Sequence, residues 1–257
     1  MRNFSINNIE CSDCLDYLKR LPDRSVDLVL TDPPYNIGFD GGKGWDTWDN
    51  EKDYLDWCID WSKECIRVLK DNRMFIVFGT LKTDTFLRYK LELNKIDGIF
   101  SQNEIIWSYN WGGRTKDNFA RKHEYAWCYS TGKKFLFNSD DVRVDRKVGK
   151  NMRTGQNYTK GTIPTCVWEK NNHTTSKDYC GWHATTKNIE ILERIIRAYS
   201  NENDLVLDCF MGSGSTAIAC KLSNRDYIGS ELDQDYLKKA RARIKSYDRI
   251  NTLSAIL

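Results

Sequence analysis

Two stretches of this chain hold residue types that do chemistry at a fixed spacing. The first is Thr31-Asp32-Pro33-Pro34-Tyr35. Consecutive prolines lock the backbone and cannot extend a strand or a helix. They pin two hydrogen-bond acceptors, the Asp32 carboxylate and the Pro33 carbonyl, beside the ring of Tyr35. Two acceptors and a ring suit an exocyclic amine on a flat heterocycle held in a stack. The lone pair of such an amine is delocalised into its ring and attacks poorly. Acceptors that bind both amino hydrogens favour a more tetrahedral nitrogen, and positioning and charge supply the rest. Asp32 could also take the proton after transfer. Taken alone, the four residues could equally be a rigid turn.

The second stretch is Asp208-Cys209-Phe210-Met211-Gly212-Ser213-Gly214-Ser215-Thr216, followed downstream by Glu231. Gly212 and Gly214 allow a tight turn and close approach to a ligand. Glu231 closes the next predicted strand, where an acid hydrogen-bonds a ribose diol. Ala217 stands where a dinucleotide motif has its third glycine, a tolerated variant, so this segment by itself leaves a nicotinamide-dependent oxidoreductase open. Asp208 argues otherwise. It is placed to hold an ammonium such as the α-amino group of S-adenosylmethionine, whereas the two phosphates of a dinucleotide would be repelled.

These loops need elements to hold them. Val26-Asp27-Leu28-Val29-Leu30-Thr31 reads as a buried strand stopped by the prolines. Leu205 to Asp208 and Asp226 to Glu231 read as strands on either side of a helix that begins near Ser215. Helical spacing runs from Asp13 to Leu21, Lys52 to Leu69, Asn188 to Ile196 and Asp235 to Lys245. Further strands are expected at Met74–Phe78, Glu104–Trp107 and Tyr125–Tyr129. Strands alternating with helices predict an α/β fold, a Rossmann-like, mostly parallel sheet covered on both faces. The chain of 257 residues reads as one domain. Residues 140–182 have no period and read as an inserted irregular region.

Composition narrows the setting. No apolar run approaches the ~20 residues that cross a bilayer, and the polar opening Met1-Arg2-Asn3-Phe4-Ser5 has no signal-peptide core, so the expectation is a cytoplasmic protein without membrane contact. Nine scattered cysteines are expected to be reduced thiols. Cys11 and Cys14 have CxxC spacing, and Cys180 lies near His183 and His173, but neither set completes four ligands, and no metal is expected. The net charge of +3 is mild, yet basic residues outnumber acidic ones from Arg114 to Lys187. Such a middle suits a phosphate-tracking surface or a solvated face.

The two motifs together, catalytic loop first and glycine loop second, resemble the amino-methyltransferases of restriction–modification systems. The order is that of their permuted β-group. The resemblance covers nearly the whole chain. It implies a Rossmann-like S-adenosylmethionine-dependent methyltransferase fold with a target-recognition region between the motifs. Asp32, Pro33, Pro34 and Tyr35 would be catalytic. Asp32, Asp208, Phe210, Gly212, Ser213, Gly214, Thr216 and Glu231 would hold the cofactor, with Asp13 and Cys14 near its adenine. His183-Ala184-Thr185-Thr186-Lys187-Asn188 is similar to the family's HPTQKP segment without its prolines and glutamine; Thr185 would hold the cofactor carboxylate. In this family a leading aspartate goes with adenine N6 and a leading serine with cytosine N4. Asp32 therefore implies N6-adenine, with cytosine N4 as the alternative. RNA and protein-glutamine methyltransferases usually carry NPPY, which Asp32 argues against.

The partner so implied is double-stranded DNA, with the target base flipped out to reach Asp32 and to stack on Tyr35. Arg143, Arg146, Lys147, Arg153 and Lys160 are the candidate phosphate contacts, and Asn151, Gln156 and Asn157 could read base edges. The segment Gly41 to Trp48, with Trp45, Asp46 and Trp48, could close over the flipped base or be an anchored surface loop. The resemblance also admits a cognate restriction endonuclease as companion and a homodimer as assembly, without naming an interface.

Overall fold

The computed structural model describes residues 4–38, 42, 44–110, 114–145, 161–170, 178–183 and 185–254, with side chains up to residue 247. In chain order the elements are β1 (Asn8–Cys11), α1 (Cys14–Lys19), β2 (Val26–Thr31), α2 (Glu51–Val68), β3 (Leu69–Gly79), α3 (Asp84–Leu93), β4 (Phe100–Ser108) and β5 (His123–Ser130). A short 3-10 turn (Ser139–Val142) precedes β6 (Val167–Glu169), α4 (Ile189–Tyr199), β7 (Leu205–Asp208), α5 (Ser215–Leu222), β8 (Asp226–Glu231) and α6 (Gln234–Ser254).

The strands form one sheet of eight in the order β1-β8-β7-β2-β3-β5-β4-β6. Every neighbouring pair is parallel except those made by β5, which runs antiparallel to both β3 and β4. β2 is buried along its whole length, which is why it reads as a continuous apolar run rather than an alternating one. Its side chains nevertheless divide by parity. Leu28 and Leu30 pack with Ile191, Ile195, Ile218 and Leu237 of α4, α5 and α6. Val29 packs with Leu18, Tyr54, Trp61 and Phe86 of α1, α2 and α3. The sheet is thus covered on both faces, as expected.

The helices start where their caps say. The Asn50 side chain accepts from the Asp53 N–H at the head of α2, and Tyr54, Cys58, Trp61, Cys65 and Val68 then recur on its buried face. The Asn188 side chain accepts from the Ile191 N–H and opens α4. At the amino end of the sheet, the buried Asp27 carboxylate pairs with Lys70 at 2.8 Å and Arg73 at 3.0 Å and accepts from the Leu205 N–H. It therefore ties β2 to β3 and β7.

From β2 the chain passes outward to β3, and from β7 it passes the other way, to β8. The strand order reverses between β2 and β7, so the loops after these two strands open into one crevice, the place where open α/β sheets bind ligands.

β1, α3 and β6 extend the sequence expectation. The described part of the 140–182 stretch is less irregular than its composition predicts. Val144 and Thr162 bridge to each other, and β6 pairs with β4 through Ile106–Val167, Trp107–Trp168 and Ser108–Glu169. This stretch adds an edge strand to the main sheet. Residues 146–160 and 171–177 lie outside the described residues.

Candidate active site

The crevice is a cavity of ≈ 390 Å³, within the range that holds a nucleotide-sized ligand. Asp32 to Tyr35 line one wall and Asp208 to Ser213 another. Asp13, Cys14, Thr185, Thr216 and Glu231 complete it. Residues from both ends of the chain therefore face one space.

A hydrogen bond joins the two motifs. Thr31, the last residue of β2, donates from Oγ1 to Asp208 Oδ1 at 2.7 Å, and the Phe210 N–H donates to the same oxygen at 3.1 Å. Burial pushes the Asp208 carboxyl up to about 6, against the hydrogen bonds from Thr216, Thr31 and the Phe210 N–H that favour its ionised form. An ionised carboxylate in such a wall is stabilised by a cation facing it.

The glycine loop is built on close approaches. Gly212 has φ +51°, and a Cβ there would lie 2.8 Å from His183 Nε2, so a glycine lets the loop pack this closely against the His183 ring. Its N–H donates to Glu231 Oε2 at 2.7 Å, while Glu231 Oε1 accepts from the Asp233 N–H at 2.9 Å. Glu231 is thus held by both ends of its carboxylate, and burial pushes its pKa up. Gly214 departs from the expectation of a ligand contact. It heads α5 with φ +79° and faces α6, where a Cβ would meet Ile244 Cδ1 at 3.1 Å; it is not among the residues that line the cavity. Asp13 lines the cavity and also caps α1, its Oδ1 accepting from the N–H groups of Leu15 and Asp16. Phe210 lines the cavity with its ring set edge-on to Trp57 and Trp61 of α2.

In the catalytic loop, Tyr54 of α2 donates to the Pro34 carbonyl at 2.8 Å, and among the described residues none donates to the Pro33 carbonyl. Tyr35 is seated differently from the expectation. Its ring is buried edge-on to Phe86 and its hydroxyl donates to Asp32 Oδ1. Burial and the neighbouring Asp32 hold the Tyr35 phenol well above its usual range, so it stays protonated and donates. The other Asp32 oxygen, Oδ2, pairs with the ammonium of Lys187. Composition and spacing gave no sign of this pairing, because the two residues are brought together only by packing α4 against β2.

The loop after Tyr35 is pinned. Asn36, at φ +55°, turns the chain, and the buried Asp46 carboxylate accepts from the N–H groups of Asn36 at 2.7 Å and Ile37 at 3.3 Å. Trp48 packs on Tyr54 and Trp57. Trp45 and Trp48 both line the cavity in this conformation, so this part of the expected closing segment is already an anchored wall. Cavity residues that the sequence did not single out include Ser12, Trp57 and Tyr236. Tyr236 sits one turn into α6 and reaches the site by packing on His183 at 4.9 Å, a contact with no signal in local pattern.

Of the candidate phosphate contacts, Arg143 is described and its Nε donates to Asp140 Oδ1 at 2.6 Å. Arg146, Lys147, Arg153 and Lys160 lie outside the described residues. Among the described residues, no helix is long and apolar enough to cross a membrane.

Comparison with known proteins supplies the remaining findings. A family model described as DNA methylase, covering the N6 and N4 enzymes, matches residues 26–242. The type II methyltransferase M.HpaI of Haemophilus parainfluenzae is 36% identical over 238 residues, spanning 92% of this chain and 73% of that protein. The DNA adenine methyltransferase YhdJ of Escherichia coli is 33% identical, spanning 90% and 80% respectively. Among solved structures, the cytosine-N4-specific PvuII DNA methyltransferase superposes with a TM-score of 0.73 at 19% identity, covering 96% of this chain and 93% of that one. M1.HpyAVI in complex with SAM superposes at 0.64 with 23% identity, covering 92% and 98%. These two likenesses agree with the observed sheet and its flanking helices.

Proposed function

This chain belongs to the N6/N4 DNA methylase family, and we propose from that premise that it transfers the methyl group of S-adenosylmethionine to the N6 amine of adenine in double-stranded DNA, as a member of the permuted β-group. The observation that carries the reading is the Thr31–Asp208 hydrogen bond, which fixes the catalytic loop against the glycine loop in one cavity. The family match spans both loops, which removes the oxidoreductase reading of the glycine loop alone.

The residues present fit this cofactor. Asp208 is a buried carboxylate that a cationic ammonium would satisfy, and Glu231, at the end of β8, suits a ribose diol. Thr185 lines the same cavity. The bound cofactor supplies an electrophilic methyl on a sulfonium. The chain's own residues do the rest. The Pro33 carbonyl and the Asp32 carboxylate accept the two hydrogens of the target amine and orient its lone pair. A carboxylate oxygen has more than one lone-pair site, so Asp32 can accept from the amine while holding Tyr35 and Lys187. The prolines keep these acceptors fixed during the reaction. The aromatic wall of Trp45 and Trp48 receives the flipped base, while Tyr35 holds Asp32 through its hydroxyl.

Adenine is preferred over cytosine on Asp32 and on the 33%-identical adenine methyltransferase. The N4-specific structural likeness, at 19% identity, bears on fold. The experiment is transfer of tritiated methyl from S-adenosylmethionine to DNA, followed by nucleoside analysis. Label on N6-methyl-2′-deoxyadenosine is the expected result. Label on cytosine alone sinks the adenine assignment, and label on RNA but not DNA sinks the substrate class. Asp32→Ala is expected to abolish transfer while the protein keeps its circular-dichroism spectrum; wild-type turnover in that variant removes Asp32 from the chemistry.

A further inference from the structure

Behind the catalytic loop lies a charge cluster of which the proposed chemistry uses Asp32 alone. Lys187 sits just before the cap of α4, and its side chain is only 8% exposed. Its ammonium pairs with Asp32 Oδ2 and lies 3.3 Å from Glu124 Oε2. The Tyr35 and Phe78 rings stand 5.8 Å and 5.5 Å from it. Glu124 comes from β5, the antiparallel strand, whose first residues therefore lie at the edge where the parallel strands end. Burial by itself would push the lysine down; Asp32 and Glu124 overcome it and hold Lys187 above the usual lysine range. A buried cation between two carboxylates is costly to assemble, and its nearer partner is the residue assigned to the chemistry.

We propose that Lys187, backed by Glu124, is a positioning residue of the methyl transfer: its ammonium fixes the Asp32 carboxylate in the orientation that accepts the target amine and keeps it available as an acceptor. The proposal rests on the catalytic assignment of Asp32. Without the ammonium, the Asp32 and Glu124 carboxylates that share it would be left as like charges with no cation between them, and Asp32 would turn away from its present orientation. Tyr35 from the same loop, Tyr109 beyond β4 and Tyr54 of α2 are the other titratable groups around this cluster. A rotated Asp32 presents the wrong atom to the amine. Lys187 and Asp32 line the same cavity as the cofactor residues, but Asp208, Glu231 and the glycine loop keep their own partners, so turnover should suffer far more than cofactor affinity.

The test compares wild type, Lys187→Met, Glu124→Gln and the double variant, all in the full chain, by kcat and KM for DNA methylation, calorimetric affinity for S-adenosylmethionine and melting temperature. Lys187→Met is expected to lower kcat by about 100-fold while cofactor affinity stays within about threefold of wild type. Glu124→Gln added to it should recover about tenfold of that loss, because the second buried carboxylate is gone. A merely structural lysine would lower the melting temperature and the cofactor affinity together with kcat, so a loss confined to kcat marks the positioning role. The inference is overturned if kcat stays within about threefold of wild type, or if the double variant is no faster than Lys187→Met. If Lys187→Met does not fold, the neutral pair Lys187→Gln/Glu124→Gln replaces it: a kcat at least about tenfold below wild type supports the inference, and one within about threefold overturns it. Wild type that methylates no DNA overturns the functional reading instead, so the two failures are told apart.

Discussion

At the scale of residues, the site is a set of acids, Asp208 buried and Asp32 and Glu231 half-buried, each given a different neighbour. Asp32 is held by a tyrosine hydroxyl and an ammonium, Asp208 by a threonine hydroxyl and a backbone N–H, and Glu231 by two backbone N–H groups. Asp208 yields a pH prediction. Burial raises it to about 6 in the folded chain. The proton it retains favours the free fold below its unfolded pKa of about 4, and that contribution is lost as the pH rises through about 6. A cationic ligand favours the opposite, ionised form. Affinity for S-adenosylmethionine should therefore fall as the pH drops below about 6, approaching tenfold per unit. Glu231 and His183 share the wall, so Asp208→Asn isolates the cause: binding becomes weaker and the pH dependence over this window flattens. Calorimetric titrations from pH 5 to 8 check it, and a variant with an unchanged slope sinks the assignment. Asp32 and Asp208 were legible in the sequence because each stands beside prolines or glycines that fix a loop. Lys187 was not, since nothing local says which carboxylate a lysine will meet.

At the scale of elements, the site depends on how closely β7 and β8 run together. Gly229 of β8 has no room for a side chain: a Cβ would lie 2.1 Å from the Asp208 carbonyl oxygen and 2.6 Å from Met211 Cε. The first of these is backbone and cannot move aside without shifting Asp208 itself. Gly229→Ala is expected to destabilise by at least about 1–3 kcal/mol and to lower Tm by about 2–4 °C for each of them, with cofactor affinity falling in step. Thermal melts with and without S-adenosylmethionine test this; an unchanged Tm would show that the strands can separate freely. The long helices and central strands were legible from their periods and caps. β1 was not, because four residues with only Ile9 fully buried leave no pattern. β6 has three residues alternating exposed, buried, exposed, too few to stand out from a loop. What makes β6 a strand is the free edge of β4.

At the scale of the whole molecule, a net charge of +3 understates the asymmetry. The basic middle, Arg114 to Lys187, contains β5 and β6, which lie in the sheet beyond β2 and β3. A DNA-tracking surface there would bind by counterion release. Replacing Arg146, Lys147, Arg153 and Lys160 together by alanine should flatten the plot of log affinity against log salt by about 0.9 for each phosphate no longer neutralised. Arg143→Ala should change it less, because that guanidinium already has Asp140. Filter binding of a duplex across 50–200 mM salt measures both; equal slopes for wild type and the quadruple variant would remove this region from DNA contact.

The residues read in order were enough for the chemistry-bearing loops, their succession, the sheet class and the family, because prolines, glycines and apolar periods act locally and need no partner to be read. Three features came only with packing. Thr31 bonds to Asp208 because β2 lies beside β7 at the point where the strand order reverses. Lys187 reaches Asp32, and Glu124 reaches Lys187, because the antiparallel β5 starts at the edge where the parallel strands end. Gly214 lies against α6, where a Cβ would meet Ile244 and Ala240, because that helix packs close to the head of α5. Each is a contact between residues far apart in the chain, whose energy depends on burial and distance, and neither quantity is written in the residues one at a time.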